Sequence, residues 1–157
     1  MLHVSPENPR SPDAQVLLAQ LSRDLAERYP DETDGAGNFD PDDATVPRGI
    51  FLIAWFGGDA VGCGALRPFP AVPGTAEIKR MYVAPTVRGR GIGRELLNEL
   101  ERRARDFGYT RLCLETGVRQ PEAVALYQKA GFLPIAKYAP YEDNIHSICL
   151  AKVLSTP

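Results

Sequence analysis

The chain has 157 residues, enough for one domain with a single substantial core. Apolar residues make up 44% and charged residues 24%, as in ordinary globular proteins, and the formal net charge of −2 argues against a general nucleic-acid binder. No apolar leader opens the sequence and the longest apolar run is Ile50 to Phe56, so export and membrane insertion are not expected and a cytoplasmic location is.

Leu2 to Val4 reads as a short edge strand. Ser11-Pro12 follows as an N-cap with proline at the first helical position. Ala14, Leu17, Leu18, Leu21 and Leu25 recur at helical spacing, which predicts an amphipathic helix from Pro12 to about Tyr29, stopped by Pro30. Residues 31–47, DETDGAGNFDPDDATVP, are too rich in Asp, Gly and Pro to build core. They read either as a solvated loop or as an acidic lid that attracts a cationic amine.

Gly49 to Phe56 is a nearly continuous apolar run, as in a strand buried on both faces. Gly57-Gly58-Asp59 makes a hairpin turn, Ala60 to Leu66 returns, and a Pro-rich link leads to a strand over Ala76 to Val83, together an antiparallel meander. A helix over Gly91 to Phe107 buries Ile92, Leu96, Leu97, Leu100, Ala104 and Phe107. Its other face carries Glu95, Glu99, Glu101, Arg102, Arg103 and Arg105. The next strand, Arg111 to Glu115, is reached through that helix and should lie parallel to the one ending at Val83. Gln120 to Gly131 predicts a shorter helix, and Phe132 to Tyr138 and Ile148 to Leu154 the last two strands. Cys63, Cys113 and Cys149 all fall in strands, an odd count that reads as buried free thiols in a reducing compartment.

Charge is unevenly distributed. Lys79 to Arg111 carries nine bases against four acids, while Asp31 to Asp43 carries six acids and no base. Within the basic stretch, Arg88-Gly89-Arg90-Gly91-Ile92-Gly93 joins a strand to a helix. Glycines let the backbone turn with its N–H groups exposed, and the helix start adds unsatisfied donors and partial positive charge. Such a turn is a socket for a polyanion, most naturally a pyrophosphate. A P-loop is excluded because no Gly-Lys-Ser/Thr follows. A dinucleotide fingerprint lacks its third glycine at Leu96, although Glu115 falls where a ribose-binding acid would sit. A glycine-rich connection without a ligand is the plain alternative.

Arg88, Gly91 and Gly93 fill the pattern Arg/Gln-x-x-Gly-x-Gly/Ala, and Gln120-x-x-Ala-x-x-Leu-Tyr-x-x-x-Gly-Phe follows at a fitting distance. Together these segments resemble the phosphate-binding and second conserved segments of the GNAT superfamily of N-acetyltransferases, and the likeness extends over most of the chain. The resemblance implies one α/β domain over 1–157: a three-layer αβα fold with a central mixed, mostly antiparallel sheet of six or seven strands, splayed between the fourth and fifth, and helices on both faces. It also implies acetyl transfer from acetyl-CoA to a primary amine of a small molecule or peptide, by direct attack in a ternary complex and without a metal. A catalytically idle acyl-CoA-binding domain is the alternative. A monomer or homodimer fits either.

Chemistry then assigns roles by resemblance. A protonated amine is no nucleophile, so a base is needed; Glu77, starting the central strand, holds the position of a carboxylate in the histone-modifying branch. It reads equally as a strand-end charge or as a partner of Lys79 or Arg80. Backbone N–H groups near Met81 and Val83 are placed to stabilise the thioester oxygen. Tyr127 resembles the family's general acid for the leaving thiolate, the alternative being a core tyrosine on an apolar stripe. Arg88, Gly89, Gly91, Gly93 and Arg94 are expected at the pyrophosphate. Gln120 stands where the family usually has Asn, a poorer N-cap whose amide reaches one carbon further, which puts that contact with the cofactor arm in question. On the acceptor side, Arg67, Tyr138 and Tyr141 are the candidates.

Overall fold

The computed structural model describes residues 1–32 and 39–155. In chain order the elements are β1 (Leu2–Pro6), α1 (Pro12–Arg28), β2 (Ile50–Phe56), β3 (Asp59–Pro68), β4 (Thr75–Val83), α2 (Ile92–Asp106), β5 (Arg111–Gly117), α3 (Pro121–Lys129), β6 (Leu133–Ile135) and β7 (Ser147–Val153). All seven strands form one sheet in the order β1-β2-β3-β4-β5-β7-β6, antiparallel except where β4 runs parallel to β5. That parallel step follows from the α2 crossover. None of the helices of the described residues is long and apolar enough to cross a membrane.

Strand alternation sorts the core onto two faces. Phe51, Ile53, Cys63 and Ala65 meet Ala14, Leu17 and Leu21 of α1. On the other face Leu52, Leu66, Ile78, Leu112, Leu114 and Leu150 meet Leu96, Leu97 and Leu100 of α2 and Tyr127 of α3. The α1 N-terminus is built as its sequence predicts, with Ser11 Oγ accepting from the Ala14 amide at 3.2 Å. The Asp-rich segment contributes a short 3-10 turn, Pro41–Asp43.

Two expectations are corrected. Glu101 does not lie on the exposed face of α2: it is only 7% exposed, and both carboxylate oxygens accept from Lys152 Nζ of β7, at 3.0 and 3.1 Å. The first of the last two strands is also shorter than the expected Phe132 to Tyr138. β6 ends at Ile135, and residues 136–146 leave the sheet to fold over the face that carries α1 without themselves pairing.

The feature that matters most lies in β4. Ala65 pairs with Lys79 but Cys63 pairs with Tyr82, so Arg80 and Met81 together oppose Gly64. Arg80 is the one described non-glycine residue at positive φ, 59°, as a bulge demands. Gly64 permits this: a Cβ there would stand 2.7 Å from Met81 Sδ and 3.0 Å from Leu100 Cδ1. Cys63 donates its thiol to the Arg80 carbonyl at 3.2 Å and pins the distortion. The bulge resets the alternation. Lys79 is on the α1 face, Met81 and Val83 pack with the α2 core, and Tyr82 returns to the α1 side.

Removing Lys152 leaves the buried Glu101 carboxylate with Arg105, at 3.9 Å, as its one remaining ion-pair partner among the described residues. Lys152→Met should therefore lower the unfolding free energy by about 3 kcal/mol in urea titrations, and adding Glu101→Leu should recover most of the loss.

Candidate functional site

Pairing between β4 and β5 covers only Thr75–Ile78 against Arg111–Leu114. Beyond it the strands diverge, and Lys79 to Val83 face Glu115 to Gly117 across a gap. A sheet that opens in this way exposes strand edges without a ladder partner, which suits an extended ligand.

Two cavities meet in the gap. One, of about 280 Å3, runs between β4, the α2 N-terminus and α3, and is lined mostly by apolar atoms. All eight residues expected at the cofactor line it: Met81, Val83, Arg88, Gly89, Gly91, Gly93, Arg94 and Gln120. Gly89 and Gly91 sit at φ 82° and 80°, which favours glycine. Gly91 is also the N-cap of α2, with no side chain closing off the first-turn amides. Gly93 serves packing, since a Cβ there would approach Leu126 Cδ2 to 3.2 Å where α2 nears α3. Arg88 folds back to donate from Nε to the Val83 carbonyl at 2.9 Å, bracing the turn with part of its guanidinium.

The second cavity, of about 120 Å3, lies toward the α1 face and is more polar. Lys79, Arg80, Glu115, Tyr141, His146 and Ser147 are among its lining, with Glu32 also at its wall. Both cavities share Leu21, Met81, Gln120, Ala123 and Tyr127. Tyr127 therefore stands at their junction. Burial raises its phenol well above the usual range, with the nearby Glu115 carboxylate adding to the effect. It stays protonated at neutral pH.

Glu77 lies apart from both cavities. Its side chain is 2% exposed. Oε1 accepts from Arg67 Nε at 2.9 Å and lies 2.8 Å from Nη2, while Oε2 accepts from Tyr138 Oη at 2.8 Å. It is neither a strand-end surface charge nor a partner of Lys79 or Arg80, because Arg67 on β3 is its direct register neighbour. Of the acceptor-side candidates, Arg67 and Tyr138 are thus in the wall around Glu77, and Tyr141 alone reaches the cavity.

Two charged groups of the polar cavity were not assigned to the acceptor side by the sequence reading. Glu115 stands on β5 where the pairing with β4 has ended, and Ser147 Oγ donates to its Oε2 at 2.7 Å. Burial raises its carboxyl above the ordinary glutamate range, against the opposing effects of Ser147 and the Lys79 charge. Lys79 is 9% exposed, and burial lowers its ammonium, with Glu77 opposing. Glu115 ends the apolar run Leu112–Leu114 of β5, a signal the sequence does contain.

A strap closes this end. Arg119 Nη1 donates to Asp31 Oδ1 at 2.7 Å, His146 Nε2 lies 2.9 Å from Asp31 Oδ2, and Tyr29 Oη accepts from the Arg119 amide and donates to Gln120 Oε1 at 3.2 Å. Hydrogen bonds from Arg119 and His146 hold the Asp31 carboxyl well below its usual range. The Gln120 amide oxygen is thus occupied by a tyrosine from α1's end. The acidic-lid reading falls partly on residues 33–38, outside the described residues. Among those described, Asp31, Asp42 and Asp43 already face Arg119, Arg10 and Arg67.

The model of the Acetyltransferase (GNAT) family matches residues 15–132. An IAA acetyltransferase from Azospirillum brasilense is 38% identical over 96% of this chain and 97% of its own length. A crystal structure of a Klebsiella pneumoniae protein assigned as an acyl-CoA N-acyltransferase is 31% identical and superposes with a TM-score of 0.80 over 99% of both chains. A GNAT family acetyltransferase from Elizabethkingia anophelis, with acetyl-CoA bound, shares the fold at a TM-score of 0.69 and 24% identity, over 98% of both chains.

Gly117 lies beneath the strap, and a Cβ on it would collide with the Tyr29 phenol. Gly117→Ala should cost roughly 1–3 kcal/mol in chemical denaturation, as overpacking does. Amide exchange should show residues 29–32 and 118–120 losing protection first.

Proposed function

Since the chain belongs to the GNAT family of acetyltransferases, we propose that it moves the acetyl group of acetyl-CoA to the primary amine of a small molecule, by direct attack while both substrates are bound. One observation carries this reading: a groove lined by the glycine turn and α2's first turn runs into the β4–β5 gap and meets a second cavity at Tyr127. The pyrophosphate lies against the amides of residues 89–94 with Arg88 and Arg94 at its flanks. The pantetheine arm runs along the unpaired edge of β4, and the thioester reaches Met81. The Elizabethkingia structure supports the choice of cofactor.

The acceptor enters from the α1 face. Its ammonium gives a proton to a carboxylate, its nitrogen attacks the thioester carbon, and the oxyanion rests on backbone N–H groups near Met81 and Val83; as the adduct collapses the C–S bond breaks and the nitrogen's second proton passes to solvent. Glu115 is the base we assign. It lines the cavity, and its raised affinity for protons suits the task. Glu77 has both oxygens engaged and serves to fix the Arg67–Tyr138 wall. Tyr127 donates a hydrogen bond to the departing sulfur, which lowers the cost of charge there until solvent protonates the thiolate.

Calorimetric titration tests the cofactor half: acetyl-CoA should bind near one per chain, NADH should not, and Gly91→Glu should abolish binding. Absence of acetyl-CoA binding at micromolar protein would overturn the reading. For catalysis, Glu115→Gln should reduce turnover by about 10²–10⁴-fold, while Glu77→Gln should act mainly on stability. A base with a raised pKa loses activity on acidification sooner than an ordinary carboxylate. The acid limb of kcat/KM should therefore sit above the free-glutamate value of about 4.3 and vanish in Glu115→Gln.

A further inference from the structure

Lys79 is a nine-tenths buried ammonium whose Nζ makes one hydrogen bond among the described residues, to Tyr141 Oη at 2.8 Å. An ammonium has three donors, and no carboxylate of the described residues is within ion-pair distance of this one. The acid nearest along its strand, Glu77, is committed to Arg67 and Tyr138. Burial of a charge with so little compensation is costly unless a counter-ion joins it. Lys79 lines the polar cavity, and the β4 bulge sets Arg80 directly beside it on the same cavity wall. Glu115 faces them from β5. The cavity thus presents cationic groups on one strand and the Glu115 carboxylate across the gap, with Glu32 in the wall beyond the end of α1.

We propose that the acceptor is a small zwitterion, a free amino acid, whose carboxylate is held by Lys79 and whose amino group is presented to Glu115. The assignment rests on the acetyl-transfer reading above and deepens it. A cavity of about 120 Å3 suits a small molecule. Opposite charges on facing strands orient such a ligand in one sense only: reversing it would set its ammonium on Lys79 and its carboxylate on Glu115. A plain amine or polyamine offers Lys79 no anion within ion-pair distance. Lys79 acts on recognition here and takes no part in the proton transfer.

The test is release of free thiol from acetyl-CoA with matched acceptors: the twenty common amino acids, the carboxamide of each, and simple alkylamines. At least one amino acid should be acetylated, with its amide poorer by about 30-fold or more in kcat/KM, the range expected when one side of a buried charge pair is removed. Lys79→Met should raise KM for the acid by a similar factor, bring the acid-to-amide ratio toward one, and leave acetyl-CoA affinity unchanged. Lys79→Arg should restore part of the preference. Amides or alkylamines used as well as the acids by the wild-type enzyme would overturn the proposal, as would acetyl-CoA binding with no amino acid acetylated at millimolar concentration. An acid-to-amide ratio that survives Lys79→Met would remove Lys79 from it. Failure to bind acetyl-CoA at all would instead overturn the transferase reading, so the two failures are told apart by the titration.

Discussion

The molecule is built around the point where β5 stops pairing with β4, after Ile78 and Leu114. A sheet normally satisfies every main-chain group along its strands, and a break in its middle leaves polar edges that need other partners. Here the break is tolerated because α3 and the 136–146 segment lie over its two sides and because the ladders on either flank are complete. β4 keeps β3, and β5 keeps β7 through all seven of its residues. The gap is thus an aperture between two half-sheets that are each fully paired on their outer flank, and both cavities are consequences of it.

The bulge at Arg80 acts on the same aperture. Without the extra residue, Lys79 and Met81 would share a face; with it, Lys79 stays among the polar groups and Met81 joins the apolar groove. One inserted residue thereby separates a basic wall on the α1 side from a greasy channel on the α2 side, within four consecutive positions. The positive φ at Arg80 costs about 1 kcal/mol or more for a side-chain-bearing residue, and the Cys63 hydrogen bond to its carbonyl helps hold it there.

Much of this was readable from the sequence where the determinants are contiguous. The Arg88–Gly93 turn and the Gln120–Phe132 segment each carry their geometry within a dozen residues, and the parallel step between β4 and β5 follows from connection length alone. What escaped depends on partners far along the chain. Glu101 looks like a surface charge until Lys152, 51 positions later, is brought beside it. Glu77 reads as a candidate base or a partner of Lys79 or Arg80, and its contacts with Arg67 and Tyr138 appear only once those residues are folded around it. Glu115 could be assigned to a cavity only once the end of pairing was known, and register is not written in residue type. The bulge had no local mark either, since arginine is not a residue that favours the left-handed region. β6 is short because residues 136–146 leave the ladder after Ile135, which apolar character does not report.

The three cysteines acquire a meaning from this setting. Acetyl transfer from a thioester, as proposed above, liberates a thiol, and a disulfide of such a thiol exchanges with an accessible thiolate. Cys63, Cys113 and Cys149 are all buried and unpaired. Burial pushes the first two up to about 12 and raises the third. None supplies a thiolate at neutral pH, and none lines either cavity. The fold therefore offers no reactive sulfur of its own among the described residues, and the transfer proposed above would leave it free of covalent trapping by the thiol it releases.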